Sequence, residues 1–186
     1  MSSKILVDEI APKTTGSKVL MPQGGIIQTQ YTQISATSVI SCASRTGTEI
    51  SVLSVNITPV STNSIIKIEA MVNGEWADST SGWDSTWFFY RDSTKLSAPA
   101  AGNRNVGILM GTSLTYVAPD ASSTPETAVY SYFDTPSTTS QVTYKVGVQN
   151  GLSTAVNWYL NRNVTDSDLA DQERGVSNIC VTEIAG

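Results

Sequence analysis

The chain has 186 residues, 40% of them hydrophobic and 15% charged, with a formal net charge of −5 and no histidine. That length suits one domain able to bury its own core. The acidic balance, with no basic block, excludes a phosphate-gripping nucleic-acid protein, and no apolar run approaches the roughly 20 residues of a membrane span, so no membrane insertion is expected. Without histidine the usual neutral general base and the commonest transition-metal ligand are both missing, and neither an enzyme nor a cofactor is expected. Serine and threonine make up roughly a quarter of the chain, a composition of strands joined by hydroxyl-rich turns.

Residues 1–22 form a short segment, with Ile5, Val7, Ile10 and Val19 spaced around the turn-like PKTTGSK. It is too small for a core of its own and reads as an attachment arm. No apolar stretch there is long enough for a signal peptide, so synthesis and assembly in a cytoplasm are expected. Residues 23–186 then carry strand candidates at regular intervals. GIIQTQYTQ (Gly25–Gln33) alternates Ile27, Thr29 and Tyr31 with polar positions. EISVLSVNITP (Glu49–Pro59) alternates throughout, with Ile50 and Val52 on one face and Leu53, Val55 and Ile57 on the other. SIIKIEAMVNGEW (Ser64–Trp76) sets Ile66, Ile68, Ala70 and Val72 on one side. STWFFYRDS (Ser85–Ser93), VGILMGTSLTYV (Val106–Val117) and ETAVYSYFD (Glu126–Asp134) follow. QVTYKVGVQ (Gln141–Gln149) has the strongest period-two signal, and AVNWYLN (Ala155–Asn161) and SNICVTEIA (Ser177–Ala185) complete the set. The intervening runs are rich in Pro, Gly, Asn, Ser and Thr, and Asn150-Gly151 reads as a hairpin turn. No helix is expected. The pattern predicts an all-β fold, a double-sheet jelly-roll β-sandwich preceded by an extended arm.

Several strands are apolar on both faces, WFFYR, AVYSYF and NICVTEI among them. A sandwich exposes one face of each sheet, so such strands need a second burial partner, and another copy of the chain is the simplest. Within WFFYR, Trp87 and Phe89 share the core face. Phe88 and Tyr90, with Tyr130 and Tyr132, are assigned to the subunit interface.

Four stretches, in order, carry a resemblance: SVNITPVSTNSIIKIEAMVNG (Ser54–Gly74), YFDTPSTTSQVTYKVGVQ (Tyr132–Gln149), YLNRNVTDSD (Tyr159–Asp168) and the closing SNICVTEIAG (Ser177–Gly186). Together they resemble small trimeric virion proteins of tailed, especially aquatic, phages, and the opening SSKILVDEIAP is similar to the start of many phage fibre and adhesin chains. The resemblance implies a homotrimer of tumour-necrosis-factor-like jelly rolls on the virion surface. In that reading the arm docks on another virion protein of tail or capsid, and exposed loops touch host-surface glycan or protein as a tail-fibre or receptor-binding knob. The alternative it implies is a capsid decoration protein that stabilises the head. A glycan-processing enzyme is the distant third.

Two groups of residues are candidate sites. Trp83, Trp76 and Asp84 lie where aromatic rings and carboxylates alternate with turn residues, the combination a sugar platform uses. Asp166, Asp168 and Asp171 are hard oxygen ligands dense enough for a cation, but they lack the glycine and the bidentate glutamate of an EF-hand loop, and Arg162 and Arg174 are the alternative neutralisers. Glu69, Glu75, Asp78 and Asp84 are read as solvated turn charges. The sequons at Asn56 and Asn163 are read as chance matches. Cys42 and Cys180 are read as small buried hydrophobes.

Overall fold

The computed structural model describes residues 21–114 and 123–186. Among these, twelve strands build two antiparallel sheets packed face to face, an all-β sandwich. The larger sheet contains β1 (Ile26–Ile34), β2 (Ser38–Cys42), β4 (Ile65–Trp76), β8 (Ser113–Leu114), β9 (Glu126–Asp134), β11 (Val156–Leu160) and β12 (Ser177–Ile184). The smaller contains β3 (Thr48–Ile57), β5 (Thr86–Arg91), β6 (Thr94–Leu96), β7 (Leu109–Met110) and β10 (Val142–Gln149).

β4 is the axis of the larger sheet. On one side it pairs along its length with β9, from Ile66 opposite Asp134 to Gly74 opposite Glu126. On the other it meets β12 with its first half and β11 with its end. β11 and β12 therefore lie in line, and residues 161–176 leave the sheet between them. β1 and β2 lie in line at the edge in the same way, β1 on β12 and β2 on β11. The smaller sheet runs β3–β10–β5–β6, with β7 against the start of β5.

Period-two patterning explains which faces meet. Ile66, Ile68, Ala70 and Val72 of β4, Ile179 and Val181 of β12, and Val142, Tyr144, Val146 and Val148 of β10 are all buried between the sheets. Trp87 and Phe89 join them, as the sequence predicts. At the centre, Trp158 meets Trp76 and Trp87 with ring centroids 5.3 and 5.2 Å apart, both edge-on, a geometry that sets the positive ring edge against the negative face.

Three expectations are corrected. β3 does not alternate throughout: its register against β10 jumps between Lys145 opposite Ser54 and Val146 opposite Ile50, a bulge that turns both Ile50 and Leu53 inward and leaves Val52 exposed. Asn150-Gly151 is not a hairpin turn. Asn150 is buried and its amide donates to Cys42 O and Ala43 O, fixing the crossover from β10 in one sheet to β11 in the other. A short helix, α1 (Ser79–Asp84), stands where none was expected. Asp78 caps it, accepting from Thr80 N at 2.9 Å.

The motifs that carry the resemblance are hydrogen-bonded pins. Glu183, of the closing Glu-Ile-Ala, is fully buried and accepts from Val60 N, Ser64 Oγ and Gln28 Nε2, each at 2.6 Å, tying the Ser-rich 58–64 turn to the last strand. Asp134, of the Asp-x-Pro, takes both oxygens to Arg91 Nη1 at 2.9 and 2.8 Å and accepts from Tyr144 OH at 2.6 Å. Asn161, of the Asn-Arg, sits at φ 59° where the chain leaves the sheet. Its amide donates to Ile34 O and Ala36 O, and its oxygen accepts from Ser177 Oγ, so it joins the break between β1 and β2 to the break between β11 and β12.

Candidate functional site

α1 fills the corner where β4 leaves the larger sheet and β5 enters the smaller. The 110–112 turn clamps it: Gly111 N donates to Ser85 O at 2.7 Å and Thr112 N to Gly82 O at 2.8 Å. Gly111 adopts φ 73° there, with Gly82 O only 3.0 Å from where a β-carbon would stand, so this turn requires glycine. The clamp holds Trp83 outward, with 55% of its surface exposed. Beside it lies a shallow depression of about 320 Å³ lined by Trp83, Asp84, Ser85, Thr86, Asn105, Met110 and Gly151. Gly151 admits the neighbours: a β-carbon on it would collide with Asp84 O and lie 3.0 Å from Asn105 Nδ2. Asn105 is oriented by Gln149, whose Nε2 donates to its Oδ1 at 2.8 Å, which leaves Nδ2 on the depression side. Two hydroxyls of the lining, Ser85 Oγ and Thr86 Oγ1, are buried without a hydrogen-bond partner.

Of the three residues assigned to a ligand platform, the structure brings Trp83 and Asp84 together. Trp76 is excluded, since it is fully buried in the tryptophan trio. Ser85, Thr86, Asn105, Met110 and Gly151 were not legible as site residues. They come from three separate segments: Ser85, Thr86 and Met110 fell within strand candidates, and Gly151 was read as part of a turn.

The assigned interface also changes. Phe88 does lie on the outer face of the smaller sheet, but its own chain covers it. It stands directly opposite Gly147, whose missing side chain leaves room for the ring, and Lys95 Nζ caps it 4.0 Å from the centroid. Burial beside that ring lowers the Lys95 pKa. Tyr90 packs edge-on against Phe88 at 5.3 Å and is half-buried, with Lys145 near its ring and Glu49 2.7 Å from Lys145. Tyr130 points inward, stacked on Phe89 at 4.5 Å with its hydroxyl donating to Phe88 O, and Tyr132 packs against the core. Phe88 and Tyr130 are therefore buried within their own chain, while Tyr90 and Tyr132 keep partial exposure. The face that stays open belongs to the larger sheet, where Tyr31 (73% exposed), Val129 and Phe133 (59%) point outward around Met71 and Cys180.

The acidic loop resolves toward the arginines. Asp166 pairs with Arg174 at 2.5 Å and Arg162 at 3.6 Å, while Asp168 and Asp171 are exposed. Among the described residues no group of three or more acidic, cysteine or histidine side chains is placed to hold a metal. Glu75, read as a solvated charge, is instead fully buried beneath this loop and accepts from Thr124 N, Thr124 Oγ1 and Val164 N. Cys42 is buried, and its thiol is pushed up to about 12 by desolvation. Cys180 is only partly covered, on the open face. Ile5, Val7, Ile10 and Val19 lie outside the described residues. No protein-family model matches the chain, and no curated protein is similar to it.

Proposed function

We propose that the chain is a surface-displayed, homotrimeric virion protein with a jelly-roll body that attaches a phage particle to its host. The observation that carries this reading is the polarity of the body. Residues 1–20 join it at the end where Gly24 N bonds Ala185 O and β4 begins, whereas the Trp83 depression lies past the far end of β4. Twelve residues of strand separate the two by about 36 Å at roughly 3.3 Å per residue. A chain entry point at one end and an open aromatic site at the other suit a knob anchored on a particle and facing outward. The jelly-roll reading is supported by the strand order. Successive strands alternate between sheets, β3 to β4 to β5 and β9 to β10 to β11, and the second set pairs beside the first in each sheet, the nested Greek-key arrangement.

The trimer reading rests on the open face of the larger sheet, where Tyr31, Val129 and Phe133 remain unpacked while the opposite sheet seals its aromatics with Lys95 and Lys145. Three copies raise a weak host contact through effective concentration. Light scattering of the purified chain is expected to give three chain masses, and Phe133→Lys to give the monomer. Cys42 is buried, so a thiol reagent on the folded protein reports Cys180, which is expected to be protected in the trimer and reactive in the Phe133→Lys monomer. Saturating trimer is expected to block phage adsorption. A wild-type monomer refutes the trimer. Particles that lack the protein, adsorb normally and lose heat resistance refute attachment and support capsid decoration.

A further inference from the structure

We propose that the depression beside Trp83 is a saccharide site selective for uncharged sugars, an assignment that rests on the attachment reading and deepens it. Its chemistry is mixed in the way a pyranose is mixed. Trp83 offers a broad exposed ring, and Met110, exposed over most of its surface, adds a second apolar wall; a sugar ring presents its C–H face to such a surface. Asp84 is exposed and makes no ion pair among the described residues, so its carboxylate is free to accept from adjacent hydroxyls. Asn105 Nδ2 is the complementary donor, held in orientation by Gln149. Ser85 and Thr86 form the floor, with their hydroxyl oxygens buried beneath it, so the polar contacts open to a sugar are those of Asp84 and Asn105.

The remaining features narrow the class. The depression is shallow and at the small end of ligand sites, suited to a ring laid flat and unsuited to a deep apolar anchor. No lysine or arginine lines it, and Asp84 sets a negative charge at its rim. A carboxylated, sulfated or phosphorylated glycan would meet the Asp84 carboxylate within the lining, with Arg45, bonded through Nε to Gly151 O at 3.2 Å, as the neighbouring cation, so a neutral polysaccharide is favoured over an acidic one.

The full chain contains its own reporter. Of its four tryptophans, Trp76, Trp87 and Trp158 are fully buried, so acrylamide quenching of the folded protein reads Trp83. The probes are dextran, mannan and galactan as neutral polymers and polysialic acid as the acidic counterpart. At least one neutral polymer is expected to shield Trp83 and polysialic acid to leave it quenchable. By calorimetry, binding of the shielding polymer should be lost in Trp83→Ala, kept in Trp83→Phe, and about 10-fold weaker in Asn105→Ala, as for one lost hydrogen bond. Near-ultraviolet circular dichroism of the buried trio verifies that each variant is folded. Absence of shielding by all three neutral polymers, equal shielding by polysialic acid, or unchanged binding in Trp83→Ala overturns the assignment. Adsorption competition separates it from the reading beneath it. If Trp83→Ala trimer still binds the polymer and still blocks phage, attachment stands and this site falls. If the wild type binds a neutral polymer yet fails to block phage, the site stands and attachment falls.

Discussion

Glu183 provides the sharpest test of how the body is held together. Its carboxylate is fully buried at the arm end of the sandwich and receives Val60 N, Ser64 Oγ and Gln28 Nε2, each at 2.6 Å. Alanine removes all three acceptor contacts. The Gln28 amide is only partly buried and turns to water. Ser64 is fully buried and the Val60 N–H partly so, and each is left unpaired at about 1–3 kcal/mol. Glu183→Ala is therefore expected to cost about 2–6 kcal/mol. Glutamine keeps the oxygen that serves Val60 and Ser64 and alters only the contact with Gln28, whose amide can flip, so Glu183→Gln should cost about 1 kcal/mol. Urea unfolding followed by tryptophan fluorescence measures both, at one fixed protomer concentration because assembly shifts the midpoint. The reasoning fails if Glu183→Ala falls within about 1 kcal/mol of wild type, or if glutamine is as damaging as alanine, since the second result would make charge and not acceptor geometry the cause.

Two further outcomes follow from the packing. Phe88→Ala should cost about 3–5 kcal/mol in the isolated chain, because the ring is buried against Gly147 and Lys95 of its own chain; a loss seen only in the assembled state, with an unperturbed Phe133→Lys monomer background, would return Phe88 to the interface. At alkaline pH the tyrosines matter. Burial raises the phenol pKa of Tyr144, as does its bond to the Asp134 carboxylate, and burial raises that of Tyr130. The unfolded chain loses these protons near pH 10 while the folded chain keeps them, so their contribution is complete below about pH 10 and is lost as pH rises above it. Each should add a slope of about 1.4 kcal/mol per pH unit there. Tyr144→Phe should remove one such slope, measured by urea midpoints across that range; an unchanged slope would show that the phenol does not resist ionisation.

Strand existence was legible because alternation is local: four consecutive inward residues of β4 or β10 announce a face within eight positions. The bulge in β3 was not, since Ile50 and Leu53 both read as apolar whichever way the strand is phased, and only the pairing with β10 decides between them. Long-range partnership also escaped. Glu75 and Glu183 look like ordinary surface acids, yet their donors lie 49 and 123 residues away, at Thr124 and Val60. The same blindness misplaced Phe88. Alternation correctly put it on the outer sheet face, but its cover comes from a glycine 59 positions on and from a lysine beyond the β5–β6 turn, and neither signals aromatic packing on its own. Trp83 was legible for a local reason: it stands between Gly82 and Asp84, outside any apolar alternation.

The in-line arrangement of β11 and β12 gives the molecule a natural grafting point. Asn161 closes the sheet behind the departing chain through bonds to Ile34, Ala36 and Ser177, and the antiparallel bridge between Arg162 and Arg174 pinches the base of the excursion. The base of the segment is built into the scaffold, since Val164 N serves the buried Glu75 carboxylate and buried Asn163 holds Glu173 N. The exposed tip, residues 167–171, is where length and composition can change without shifting the register of either strand on β4.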